Sequence, residues 1–251
     1  MTAALPERAT RMVWLWAGHA AYLGPSFHLD AHSTPVHCFA FGVDAPFRVT
    51  TPSTGVRTRR SVLVPARTVH RIDAGDGRML FFYLDPRSVH ADRLRAAMLD
   101  RSEPIASAHR AEDELFAALS GRADPEEIRR ILLEGEAPGV ADHRIRQAMN
   151  TILDDPAADL GAPQLAAAAG LSTSRFLHLF AACAGTSFRR YRQWVRMLSV
   201  ASAVAAGSDL TTAATAAGFA SPSHFSDTFR AMFGLTATTL LSQGTVIVVR
   251  R

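Results

Sequence analysis

Lysine is missing altogether: all 27 cationic side chains of the 251-residue chain are arginine. We read this as the codon bias of a GC-rich genome. Cysteine is nearly missing. Cys38 and Cys183 are the only two, they lie far apart, and they form no metal-ligand spacing. A disulfide framework and a zinc ribbon are thereby excluded, and a reducing cytoplasm is the expected compartment. No apolar run approaches the ~20 residues that span a bilayer, so no membrane partner is expected. The early stretch MVWLWAGHAAYLG is short, is interrupted by His19 and lacks a cleavage site, unlike a signal peptide. There is no Gly-x-Ser-x-Gly elbow, no phosphate-binding glycine loop and no paired zinc motif. The sequence therefore offers no catalytic constellation, and a non-enzymatic role is expected.

What is present points to folded, partly basic protein. Hydrophobic residues make up 48% and charged residues 20%, enough for real cores and too little charge for wholesale disorder. The length suits one large domain or two ordinary ones. Net charge is +4, and all of it lies in the C-terminal part. Residues 141–251 hold ten arginines against six aspartates, whereas residues 1–140 balance at 17 of each sign. A modest basic excess confined to one half is what contact with a polyanion asks for.

Two grammars divide the chain. Residues 1–86 carry short runs rich in Val, Phe, Leu and Trp (MVWLW, HCFAFGV, FRVTT, SVLVPA, RMLFFYL) separated by Gly, Pro, Asp and Ser, as in a small sandwich or barrel. Residues 87–140 carry amphipathic helical stretches and run into the linker-like EGEAPGVAD at 134–142. Residues 141–251 are helix after helix, ending in an apolar, strand-like tail, TVIVVRR, that packing or a partner would have to cover. The expected fold class is α+β.

The C-terminal part contains an internal repeat. Ser172, Phe176, Phe180 and Gly185 recur at the same spacing as Ser221, Phe225, Phe229 and Gly234. Ser172 and Ser221 are N-cap residues by type and place. The Phe pairs at i, i+4 mark a buried face, and the glycines suit a left-handed stop. Ahead of each unit runs a small-residue helix, PQLAAAAG or LTTAATAAG, closed by Gly170 or Gly218. Each unit thus reads as a helix-turn-helix. The spacer, residues 187–207, has no proline or internal glycine. About twenty helical residues span ~30 Å, close to the ~34 Å between successive major grooves on one face of B-DNA.

These residues resemble the AraC/XylS-type transcriptional regulators, over roughly 143–241. Gly218-Phe219 with Phe225 and Phe229 is the most specific part; Tyr191, Arg196 and Ala201 fall where that family's connecting helix carries Tyr, Arg and Ala. The resemblance implies recognition helices at 173–184 and 222–233. It implies base-reading positions at Ser174, Arg175, Leu177 and His178 in the first unit, and at Pro222, Ser223, Ser226 and Asp227 in the second. Arg175 is the first candidate because arginine bonds guanine O6 and N7 in a bidentate way. Arg189, Arg190 and Arg192 are phosphate candidates, and Arg196 is expected to brace the two units. The chain departs from the family pattern at Asp227, where a basic residue is common, and in lacking a proline after the final glycine.

The segment SVLVPARTVHRIDAGDGRMLFFYLDP resembles the cupin-like sensor barrel such regulators carry, with Pro65 and His70 in the second cupin motif and Arg67 where glycine is usual. His28, His32 and His37 fall on the first motif's segment without its paired spacing. The resemblance implies a small-molecule effector of unknown identity in that barrel and no resident cofactor. It implies double-stranded DNA as partner, RNA polymerase if the protein activates, and either a homodimer contact or simple packing for the 87–140 helices. The rival class is a cupin-type metal-dependent enzyme with a helical C-terminal domain, its ligands His32, His37 and His70. No metal ligand is assigned by the spacing.

Overall fold

The computed structural model describes residues 11–16, 18–27, 29–34, 36–84, 89–102, 104–121, 123–133, 142–184 and 186–250. His28 and Gly185, both singled out above, lie outside the described residues.

The N-terminal part is built on strands β1 (Met12–Trp16), β2 (His19–Pro25), β3 (His37–Gly42), β4 (Phe47–Thr51), β5 (Gly55–Arg59), β6 (Ser61–Val64), β7 (Arg71–Asp73) and β8 (Arg78–Leu84). Helix α1 (Val89–Ala96) follows, then the short strands β9 (Met98–Asp100) and β10 (Ala106–His109), then α2 (Glu112–Ser120) and α3 (Pro125–Leu133). Within the 87–140 stretch read as helical, Met98–Asp100 and Ala106–His109 are instead strands that pair antiparallel with each other. Residues 134–141, most of the linker-like segment, lie outside the described residues; beyond them come α4 (His143–Asp154), α5 (Ala162–Ala168), α6 (Thr173–Ala184), α7 (Phe188–Ala205), α8 (Leu210–Ala216), α9 (Pro222–Phe233), α10 (Ala237–Ser242) and a last strand, β11 (Val246–Val249).

The strands form a large sheet in the order β11-β1-β2-β8-β3-β6-β10-β9 and a small one, β5-β4-β7. The large sheet is covered on both faces. Period-two alternation sends Trp14, Trp16, Phe39, Phe41, Leu80 and Phe82 to one side, where they share a core with α1, α2 and α3. Their neighbours Val13, Leu15, Tyr22, Cys38, Val62 and Phe81 face the other way. There they meet Phe47, Val49 and Ile72 of the small sheet and, in the same core, residues of α7, α8, α9 and α10. Double coverage explains why the central strands read as nearly continuous apolar runs.

The apolar tail finds its cover inside the chain. Strand β11 lies parallel to β1, with Met12 opposite Val246 and Leu15 opposite Val249. The Val246 amide donates to the Arg11 carbonyl at 2.8 Å, and the Arg250 amide to the Leu15 carbonyl at 2.8 Å. Among the described residues no helix is long and apolar enough to cross a membrane.

Candidate nucleic-acid interface and the apolar seam

Two helix-turn-helix units, α5–α6 and α8–α9, are joined by α7. In the first, the Ser172 hydroxyl accepts from the Arg175 amide at 3.3 Å. In the second, Ser221 accepts from the His224 amide at 3.0 Å. Each bond satisfies a donor that the first turn of a helix leaves unpaired. The turns need positive φ, which Gly170 (+65°) and Gly218 (+82°) supply, and Gly234 ends α9 at φ +78°. At Gly218 the requirement is also spatial: a Cβ there would lie 2.9 Å from the Cα of Ala157. Gly218→Ala should therefore destabilise the protein by about 1–3 kcal/mol, measured as a lower urea midpoint. An unchanged midpoint would mean that the 155–161 turn moves freely.

Burial sorts the two recognition helices into faces. Phe176 and Phe180 of α6 are fully buried, while Ser174, Arg175, Leu177 and His178 are exposed. On α9, Phe225 is buried, while Pro222, Ser223, Ser226 and Asp227 are exposed. Arg230 is exposed too, one turn beyond Ser226 and Asp227. It puts a cation on that face which the sequence reading counted but did not place; the spacing 223, 226–227, 230 was the available signal.

The α7 arginines do different work. Arg189 is exposed and Arg190 half-buried. Arg192 donates to the Ala158 carbonyl at 2.8 Å, with its guanidinium 5.9 Å from the Phe188 ring centre. Arg196 donates to the Pro156 carbonyl at 3.2 Å, and its Nε would be 3.4 Å from a Cβ on Gly218. Both side chains therefore pin the α4–α5 turn, and Arg196 does so against the tight turn of the second unit.

The two units differ in what they are packed on. The first has a core of its own: Ile145, Ile152, Leu165, Phe176, Phe180 and Tyr191, with no strand residue in it. The second has none apart from the sheet. Trp194, Met197, Phe225 and Phe233 belong to the same core as Val13, Leu15 and Tyr22. Phe233 meets Tyr83 of β8 edge-on, ring centres 5.4 Å apart. Between sheet and helices lies a cavity of about 60 Å³. Val13, Leu15 and Tyr22 wall it on one side, Val200, Phe225 and Phe229 on the other, with Ile247 of β11 also present. The cavity is thus not enclosed by the N-terminal sheets alone; half its wall is C-terminal helix.

Of the histidines named above, two come together among the described residues. His32 and His70 pair across an isolated bridge with ring centres 4.8 Å apart. Their Nδ1 atoms face the carbonyls of Asp30 (2.8 Å) and Thr68 (2.9 Å). His37 Nδ1 accepts from the Ala66 amide at 3.0 Å. Among the described residues no three His, Cys, Asp or Glu side chains gather closely enough to hold a metal. Burial pushes the Cys38 thiol up to about 12, so it stays neutral and unreactive. Arg67 holds the left-handed conformation (φ +66°) that a glycine would supply freely, and its amide donates to the Thr34 carbonyl at 2.7 Å.

Residues 165–243 match a protein-family model described as a helix-turn-helix domain. No curated protein matches the chain. Among solved structures, apo ToxT K231A from Vibrio cholerae strain SCE256 superposes with a TM-score of 0.50 at 11% identity, covering 91% of this chain and 98% of that one. ToxT from Vibrio cholerae O395 gives 0.50 at 11% identity, covering 90% and 98%. At such identity the likeness is one of fold: a sheet-rich N-terminal part joined to a helical C-terminal part that holds the helix-turn-helix domain.

Proposed function

We propose that an AraC-type helix-turn-helix domain, joined to a cupin-like sheet, makes this protein a sequence-specific DNA-binding transcription regulator under small-molecule control. The observation that carries the reading is the pair of capped helices, α6 and α9, each with a buried aromatic face and an exposed polar one, borne on one helix. The 18 residues of α7 span ~27 Å at 1.5 Å each, of the order of one turn of B-DNA. Ser174, Arg175, Leu177 and His178 read bases from the first unit, and Pro222, Ser223, Ser226 and Asp227 from the second. Arg189, Arg190 and Arg192 meet phosphates, Arg192 from a side chain also held on the Ala158 carbonyl; Arg196 braces the two units. The effector site is the seam cavity. An empty apolar void costs on the order of 1 kcal/mol, which an occupant offsets. By linkage, an occupant that prefers one seating of α9 on the sheet shifts how the second unit meets DNA. The working units are residues 1–86, 87–140 and 141–251, the second and third lending β9, β10 and β11 to the sheet of the first; they act in the cytoplasm, with RNA polymerase as partner if the protein activates, and the 87–140 helices serve either a homodimer contact or simple packing.

Selection of bound duplexes from a random pool, followed by footprinting, tests the reading. Protection should cover two adjacent major-groove turns. Protection of a single turn, or random DNA competing as well as selected DNA, sinks it. Arg175→Ala should cost about 1–3 kcal/mol at the selected site and relax one base position. An equal loss on all sequences would make Arg175 a phosphate contact.

A further inference from the structure

We infer that the seam cavity takes an uncharged, lipophilic molecule and rejects carboxylates and ammonium ions. This rests on the seam being the effector site, and it adds the chemical class of the occupant. Among the described residues no arginine, histidine, aspartate or glutamate lines the cavity. Its polar side-chain groups are the hydroxyls of Tyr22 and Tyr83, and both are engaged. Tyr22 donates to the Pro25 carbonyl at 2.8 Å, and Tyr83 meets the buried Cys38 thiol. An ion placed there would give up its hydration with nothing to replace it.

Among the described residues, Arg11 is a cation beside the lining residue Tyr22. Its side chain reaches Tyr22 and the Gln243 carbonyl at 3.4 Å, at the edge where β11 joins β1, outside the wall itself. The volume of about 60 Å³ is several times the 10–15 Å³ one water needs, yet a wall of this kind stays dry because it offers water no partners. A short hydrocarbon chain or a small ring fits both the room and the chemistry. Such an occupant would touch Phe225, Phe229 and Phe233, the inner face of the helix whose outer face carries Ser223, Ser226 and Asp227.

The test uses the full-length protein and 1-naphthylamine, a compact dye that is uncharged at pH 8 and brightens in apolar surroundings. Octan-1-ol and octanoate, matched in chain length, compete against it at pH 8. One saturable dye site per chain is expected, with octan-1-ol displacing the dye at a concentration at least tenfold below octanoate. Val200→Phe, which fills the cavity, should weaken dye binding at least tenfold with the urea midpoint kept. Should that variant fail to fold, Phe229→Trp fills the same space from a half-buried position. Octanoate matching or beating octan-1-ol overturns the neutral class while leaving the seam as a binding site, and Arg11→Gln then shows whether Arg11 captures the acid. Dye binding insensitive to both filling variants removes the seam reading itself.

Discussion

Replacing Phe225 with alanine should lower the unfolding free energy by about 3–5 kcal/mol and loosen the sheet together with the helices. The side chain is 2% exposed and sits in the core that also holds Val13, Leu15 and Tyr22. Truncating it leaves a void next to one already there, so the loss cannot stay on α9. Phe180→Ala is the matched control. Phe180 is 0% exposed and packs against Phe176, Phe188 and Tyr191, in a core without strand residues. The same chemical change there should raise backbone hydrogen exchange in α4, α5 and α6 and spare β1 and β2. Phe225→Ala should raise exchange in β1 and β2 as well as in α8 and α9. If both variants loosened the same segments, the two units would not differ in their attachment to the sheet.

Acid is the second large lever. His19 lies between Trp16 and Phe82, with ring centres 4.9 and 5.4 Å away. Burial, with Arg129 and His90 adding to it, lowers its pKa from 6.5 to about 3, and its Nε2 has no hydrogen-bond partner. The unfolded chain therefore binds a proton at His19 that the folded chain refuses. Stability from this group is complete above about pH 6.5, declines as the pH falls, and is lost by the folded value. The loss amounts to about 3 kcal/mol at pH 4. His109, lowered to about 4 by burial and then Arg110, acts in the same direction. The lowered carboxylates, among them Asp44 beside Arg78, start from an ordinary value near 4, so most of the window between pH 6.5 and 4 belongs to the histidines. His19→Phe keeps the aromatic stack and removes the proton site, so urea titrations from pH 7 to 4 should show a flatter decline. An unaltered slope would assign the acid sensitivity elsewhere.

The recognition helices were legible in the sequence because local signals fix them. Serine and paired phenylalanines mark α6 and α9, and their spans, Thr173–Ala184 and Pro222–Phe233, are those the family resemblance implies. Strand β2 was less legible. HAAYLGP has no β-branched residue, and burial on both faces removes the alternation that reveals a half-buried strand. Met98–Asp100 carries helix-forming residues, and only its pairing with Ser107 and His109 makes it a strand. The repeat showed that Phe225 and Phe229 face a core. It could not show that this core belongs to the sheet, because that contact joins residues some two hundred positions apart. The cavity was hidden for the same reason.

Strand β1 is among the first described segments to be synthesised, and β11 is the last. The outer edge of the large sheet therefore stays unpaired, with Met12–Trp16 open to other chains, until the residues after Gln243 have left the ribosome. A nascent chain can complete its first helix-turn-helix core well before that moment, but not the edge of its sheet. Chains cut short after Gln243 should for that reason aggregate, even though every residue of both helix-turn-helix units is present.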